Sequence, residues 1–131
     1  MMLLVDENAA AFGAFEAALH DELAPEGALQ TDLVARIVVA TWRARRADRL
    51  EAALLGRHLE GSLFHRSAQS ALGLGLAGGA RALDALVRYR GSALAELFRS
   101  LAALKALQAE RSLPALLDAK TEQTRETAAS Q

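Results

Sequence analysis

The chain contains no cysteine. Disulfides, thiolate chemistry and cysteine-based zinc sites are therefore excluded. Only two prolines interrupt its 131 residues, Pro25 and Pro114. Aromatic residues make up 5%, with a single Trp and a single Tyr, so large rings cannot dominate a core. The formal net charge is −1, which leaves no global signature for a polyanionic partner; any such partner would have to meet a local patch. Long hydrophobic runs are missing too. MMLLV is too short for a signal peptide, and Asp6 and Glu7 follow it directly. SALGLGLAGGA is eleven residues long and rich in Gly, well short of the roughly 20 helical residues that span a bilayer. The expected location is the cytoplasm.

What is present is mostly Ala and Leu, within a hydrophobic fraction of 52%. Both are strong helix formers, and the length suits one domain, so the expectation is an all-α chain. An Ala-rich seam lets helices approach closely but buries little area per residue. The basic residues are nearly all Arg, with Lys105 and Lys120 the exceptions. Arg suits bidentate pairing with phosphate or carboxylate. An Arg-rich, Ala-rich composition is also what a GC-rich genome produces.

The stretch from Ala28 to Glu60 organises the chain. It has no Pro, and no Gly before Gly56. Small or apolar residues recur at Leu33, Ile37, Ala40, Ala44, Ala47 and Leu54, mostly at gaps of three and four, which predicts one long helix over 28–60. Before it, Phe12, Phe15, Leu19 and Leu23 form one stripe of a short helix over 6–24, opened by Asp6. This helix should fold back on the long one and end before Pro25, because Pro disfavours helix in the residue preceding it. Pro25-Glu26-Gly27 reads as a turn.

After Gly61-Ser62, a connector over 61–79 is expected, because Gly73, Gly75, Gly78 and Gly79 disfavour a helix interior. Leu72, Leu74 and Leu76 alternate like a strand, but no partner strand is evident. A second long helix is predicted over 81–111. Leu83, Val87, Arg90, Leu94, Leu97, Leu101, Leu104 and Gln108 hold its heptad positions. Pro114 should end it, leaving 114–131 as a polar tail that is disordered in isolation. The fold class expected is an antiparallel hairpin of two long helices, each roughly 45 Å long at 1.5 Å per residue. The short N-terminal helix closes one end, so that 1–113 forms a single helical domain. Such a hairpin is a marginal monomer, so oligomerisation is expected. Leu33, Ile37, Trp42, Leu94, Leu97, Leu101 and Leu104 are the residues expected to line the assembly. Helix-face ion pairs are available between Asp32 and Arg36, Arg45 and Asp48, Arg57 and Glu60, Asp84 and Arg88, and Glu96 and Arg99, each contributing only about 0.2–0.5 kcal/mol.

The basic cluster of Arg43, Arg45, Arg46 and Arg49 is the main candidate site. Trp42, Arg45 and Arg49 share a helix face and Arg46 lies beside it. Guanidinium groups with an indole can grip a phosphate backbone and stack on a base. The alternatives are a solvated face with Arg stems packed around a half-buried Trp42, or a surface that meets acidic residues of a partner chain. For metals, Glu16 and His20 stand four residues apart, and His58 and His65 seven apart, but nothing supplies the remaining ligands of a zinc site. No nucleophile has an adjacent base, and no phosphate-cradling loop is present. Gly73-x-Gly75-x-x-Gly78 matches the bare GxGxxG spacing without a strand before it or a βαβ unit around it. No cofactor and no metal is expected, and no catalytic residue.

The segment PEGALQTDLVARIVVATWRARRADRLEAALL resembles a family of small bacterial and prophage helical proteins. Pro25, Gly27, Leu33, Val34, Ile37, Trp42, Arg43, Arg45, Arg46 and Glu51 match its shared pattern. The later stretch LVRYRGSALAELFRSLAALKALQAER resembles that family's second helix through Arg88-Tyr89 and Leu107-Gln108-Ala109-Glu110-Arg111. Together these cover about half the chain. Many of those proteins carry an Asn-Ala-Leu-Lys-His-Gly segment near the N-terminus, and this chain lacks it. The wider resemblance is to the small terminase subunits of tailed phages and phage-derived particles. It implies a non-enzymatic, ring-forming DNA-packaging adaptor that loads DNA weakly and engages a large terminase subunit. The competing reading is a helical interaction or regulatory module that dimerises and binds no DNA.

Overall fold

The computed structural model describes residues 3, 7–64 and 69–130, leaving out the side chains of 58, 60–64 and 69–77. Three helices account for almost all of this: α1 (Ala9–Leu23), α2 (Gly27–Phe64) and α3 (Gln69–Ala129). Two long helices pack against each other, and the short N-terminal helix lies against the first of them, α2.

Local chemistry sets the boundaries at this end. Asn8 is the N-cap of α1, its side-chain oxygen accepting from the amides of Ala10 and Ala11 at 2.9 and 3.3 Å. Asn is among the best residues for that role. Asp6, expected to open the helix, lies outside the described residues. Ala24 closes α1 in the left-handed conformation (φ 42°, ψ 60°), its N–H donating to the His20 carbonyl. Pro25 then prevents a return to helix. Gly27 begins α2 at φ +83°, where a Cβ would stand 3.1 Å from Arg111 Nη2.

Cross-helix contacts define the hairpin. Glu26 pairs with Arg111, Arg36 with Glu96, Arg43 with Tyr89, and Asp48 and Glu51 with Arg90. Numbers rise along α2 as they fall along α3, so the helices run antiparallel. Val34, Ile37, Val38 and Leu104 form the core, with Phe12, Phe15, Leu19 and Leu23 of α1 and Leu33, Leu97 and Leu101 packed around it. Ala40, Ala44, Ala47, Ala93 and Ser100 are also buried. Small residues facing each other let two helix backbones come close, as the composition implies. One heptad position differs from expectation: Val87 is 55% exposed, while Ala93 and Ser100 are buried. On part of α3 the most buried positions precede the heptad Leu by one residue, Ala93 beside Leu94 and Ser100 beside Leu101, while Leu104 keeps its expected place in the core.

Both long helices exceed their expected limits. α2 extends to Phe64 and α3 starts at Gln69, so most of the 61–79 segment is helical and His65 and Arg66 lie outside the described residues. Gly costs about 1 kcal/mol relative to Ala within a helix but does not forbid one, and a Leu or Ala adjoins each of Gly73, Gly75, Gly78 and Gly79. Likewise, α3 passes through Pro114 to Ala129 instead of stopping. A proline removes one main-chain hydrogen bond and crowds the preceding turn. Strong helix formers on both sides carry the helix across that defect. Residues 111–130 are exposed throughout.

Candidate functional site

The Arg-rich middle of α2 is organised around Glu7, a carboxylate just ahead of α1. Its side chain is 5% exposed. Glu7 Oε1 accepts from Trp42 Nε1 at 3.0 Å, Arg46 Nε at 2.9 Å and Arg49 Nη2 at 2.9 Å. Oε2 accepts from Arg46 Nη2 at 2.6 Å. Arg46 therefore grips the carboxylate with two nitrogens, the strongest form of this pair. Its guanidinium also donates to the Tyr89 hydroxyl at 3.3 Å. The hydrogen bonds to Glu7 hold Arg46 more basic than usual, against the opposing effect of burial, so it stays cationic at any pH the fold meets.

The other arginines lie on aromatic faces. Arg43 sits 4.9 Å over the Tyr89 ring, Arg45 4.2 Å over Phe15 and Arg49 5.5 Å over Trp42. At exposed sites such contacts contribute about 0.5–1 kcal/mol each. Trp42 itself is buried against Phe12 edge-on at 5.2 Å and Phe15 at 5.9 Å.

The four arginines expected to contact DNA thus divide. Arg46 is 14% exposed and committed to Glu7; Arg43 is half-buried on Tyr89. Arg45 and Arg49 remain on the surface. The residues expected at an interface between chains are instead used inside this one. Ile37, Trp42 and Leu104 are buried in its core, and Leu33, Leu94, Leu97 and Leu101 are half-buried.

A second polar cluster ties the α1–α2 turn to α3. Gln108 Nε2 donates to the Leu23 carbonyl at 2.8 Å. Buried Gln30 accepts from the Glu26 amide at 2.8 Å, and Arg111 pairs with Glu26 at 3.3 Å. No short-range pattern marks Glu7 or Gln30 as partners, and sequence reasoning missed both.

Elsewhere, Arg90 bridges Asp48 at 3.2 Å and Glu51 at 2.7 Å. Asp48 was expected to serve Arg45 on its own helix. The Asp32–Arg36 and Glu96–Arg99 pairs are present at 2.8 and 3.1 Å. The expected Arg57–Glu60 pair and the His58 side chain lie outside the described residues. A shallow groove of about 370 Å³ runs between α2 and α3, lined by Ala35, Arg36, Val39, Ala40, Arg43, Ser92, Glu96 and Arg99. A smaller apolar one near the far end involves Leu50, Leu54 and Leu86. Among the described residues there is no group of three His, Cys, Asp or Glu able to hold a metal, and no helix long and apolar enough to cross a membrane. Comparison with protein-family models, curated proteins and solved structures finds no match to this chain.

Proposed function

We propose that this protein is a non-enzymatic helical adaptor that works as an oligomer, in the manner of the small terminase subunits its sequence resembles. The observation that supports this most is its surface. The chain exposes 9788 Å². A compact monomer of the same mass exposes about 6,700 Å². The excess of roughly 3,000 Å² exceeds the ~1,600 Å² that a stable interface removes from both partners together. It sits on elongated helices with large apolar side chains turned outward, among them Leu50, Leu55, Leu59, Val87 and Phe98. In this reading the partners are further copies, a large terminase subunit, and double-stranded DNA touched weakly through Arg45 and Arg49.

One observation favours a second reading. All four clustered arginines already have partners within the chain, Arg46 and Arg49 on Glu7, Arg43 on Tyr89 and Arg45 on Phe15, which suits a module that assembles with protein alone. Light scattering on a sizing column tests the assembly. A mass several times that of one chain is expected, and a monomer at all concentrations refutes it. Salt-sensitive retention of the assembly on double-stranded DNA, lost in Arg45→Ala with Arg49→Ala, separates the two readings.

A further inference from the structure

α3 has a second apolar face, turned away from α2. Ala93, Ser100 and Leu104 are buried on the side that meets α2. On the opposite side, helical spacing sets a row centred on Ala102. The row runs through Phe98, Ala95, Gly91 and Arg88 to Asp84 in one direction. In the other it runs through Ala106, Ala109, Leu113 and Leu116 to Lys120. The steps from Ala102 are four, three, four, three and four both ways. Every residue of the row is exposed. The outward face of a surface helix is normally charged or polar. Here no charged residue stands on the row between Arg88 and Lys120, while Phe98, Leu113 and Leu116 are 63%, 58% and 65% exposed.

The helix also outruns its support. Glu26 meets Arg111 at the end of the hairpin, and α3 continues to Ala129 with residues 111–130 exposed throughout. Helices in proteins draw most of their stability from a packed face. Covering the row would supply one for the first part of this extension.

We propose that the row pairs with the same row of a second copy, the two α3 helices running antiparallel about a two-fold axis at Ala102. This rests on the self-assembly proposed above and names one of its interfaces. Such a contact uses the same patch on both copies, so the patch must complement itself. Because the steps are equal in both directions, each position comes opposite another of the row. Phe98 meets the partner's Ala106, and Leu113 meets the partner's Gly91, a large side chain against a small one each time. Ala95 meets the partner's Ala109, so the backbones can approach closely. The Arg88 stem lies along the partner's Leu116. At each end Asp84 meets the partner's Lys120. Neither Asp84 nor Lys120 enters an ion pair among the described residues. Parallel pairing would set Asp84 against Asp84 and Lys120 against Lys120, so charge selects the antiparallel direction. The contact runs for roughly 54 Å at 1.5 Å per residue. A standard interface takes about 800 Å² from each copy, well within the roughly 3,000 Å² excess.

The test uses the full chain, with helicity checked by circular dichroism and assembly followed by light scattering over a concentration series. Ala102→Glu keeps a good helix former at an exposed position but sets two carboxylates together at the axis. It should raise the concentration needed for assembly at least about tenfold. Asp84→Lys and Lys120→Glu should each raise it about fivefold, and the two together should restore it. Direction is read by oxidative cross-linking, since the chain has no cysteine of its own. Ala95→Cys and Ala109→Cys chains should link when mixed and not when alone. A monomeric unaltered chain overturns the self-assembly reading, and this interface with it. Normal assembly of Ala102→Glu overturns the interface and leaves self-assembly standing. Linking of either cysteine variant alone reports a parallel pair and overturns the antiparallel register.

Discussion

Replacing Glu7 by Ala should be the most damaging single change in the basic cluster. Glu7 accepts hydrogen bonds from Trp42, Arg46 and Arg49, but they differ in worth. Arg49 is 56% exposed and rehydrates at little cost. The indole N–H of Trp42 has no other route to water, since the residue is 5% exposed; leaving it unpaired costs about 1–3 kcal/mol. Arg46, mostly buried, keeps Tyr89 and can swing partly outward. Its share is about 1–2 kcal/mol, below the 3–5 of a fully buried broken pair. The expected total is ~2–5 kcal/mol. Urea unfolding followed by Trp42 emission measures it cleanly, because the chain has no other Trp. A double-mutant cycle apportions it. Glu7 and Arg46 should couple by more than ~1 kcal/mol, and Glu7 and Arg49 by less than ~0.5. A total loss under ~0.5 kcal/mol would refute the view that Glu7 organises the cluster.

The turn offers two further tests. Gly27→Ala should destabilise by about 1–2 kcal/mol, since φ is +83° and the new methyl would press on Arg111; thermal unfolding reads the fall in Tm. Ala24→Gly should act in the opposite direction. Ala24 stands at φ 42° immediately before a proline, and a glycine there relieves about 0.5–1 kcal/mol of strain, seen as a higher urea midpoint.

Local patterning was a good guide to the elements. The three-and-four spacing of Leu33, Ile37, Ala40, Ala44 and Ala47 identified the buried face of α2, and four of these five are buried. The Phe12-Phe15-Leu19-Leu23 stripe identified the face of α1 that meets the core. Both succeed because a helix places residues three or four apart on one side, whatever lies opposite. Helix limits were less legible. Gly73 to Gly79 and Pro114 read as breaks, yet helix continues through them, because a propensity penalty of one residue competes against the summed preference of its neighbours.

Periodicity says which residues share a face, but not what they face. Arg43, Arg46 and Arg49 looked like free cations because their partners lie about 40 residues away along the chain, Glu7 on one side and Tyr89 on the other. Asp48 likewise left its neighbour Arg45 for Arg90 on the opposite helix. Composition and spacing were enough for three helices and their apolar stripes, since those depend on near neighbours. Which charges are neutralised, which are exposed, and which groove α1 leaves open depend on how the hairpin closes, and that is settled only when residues distant in the chain meet.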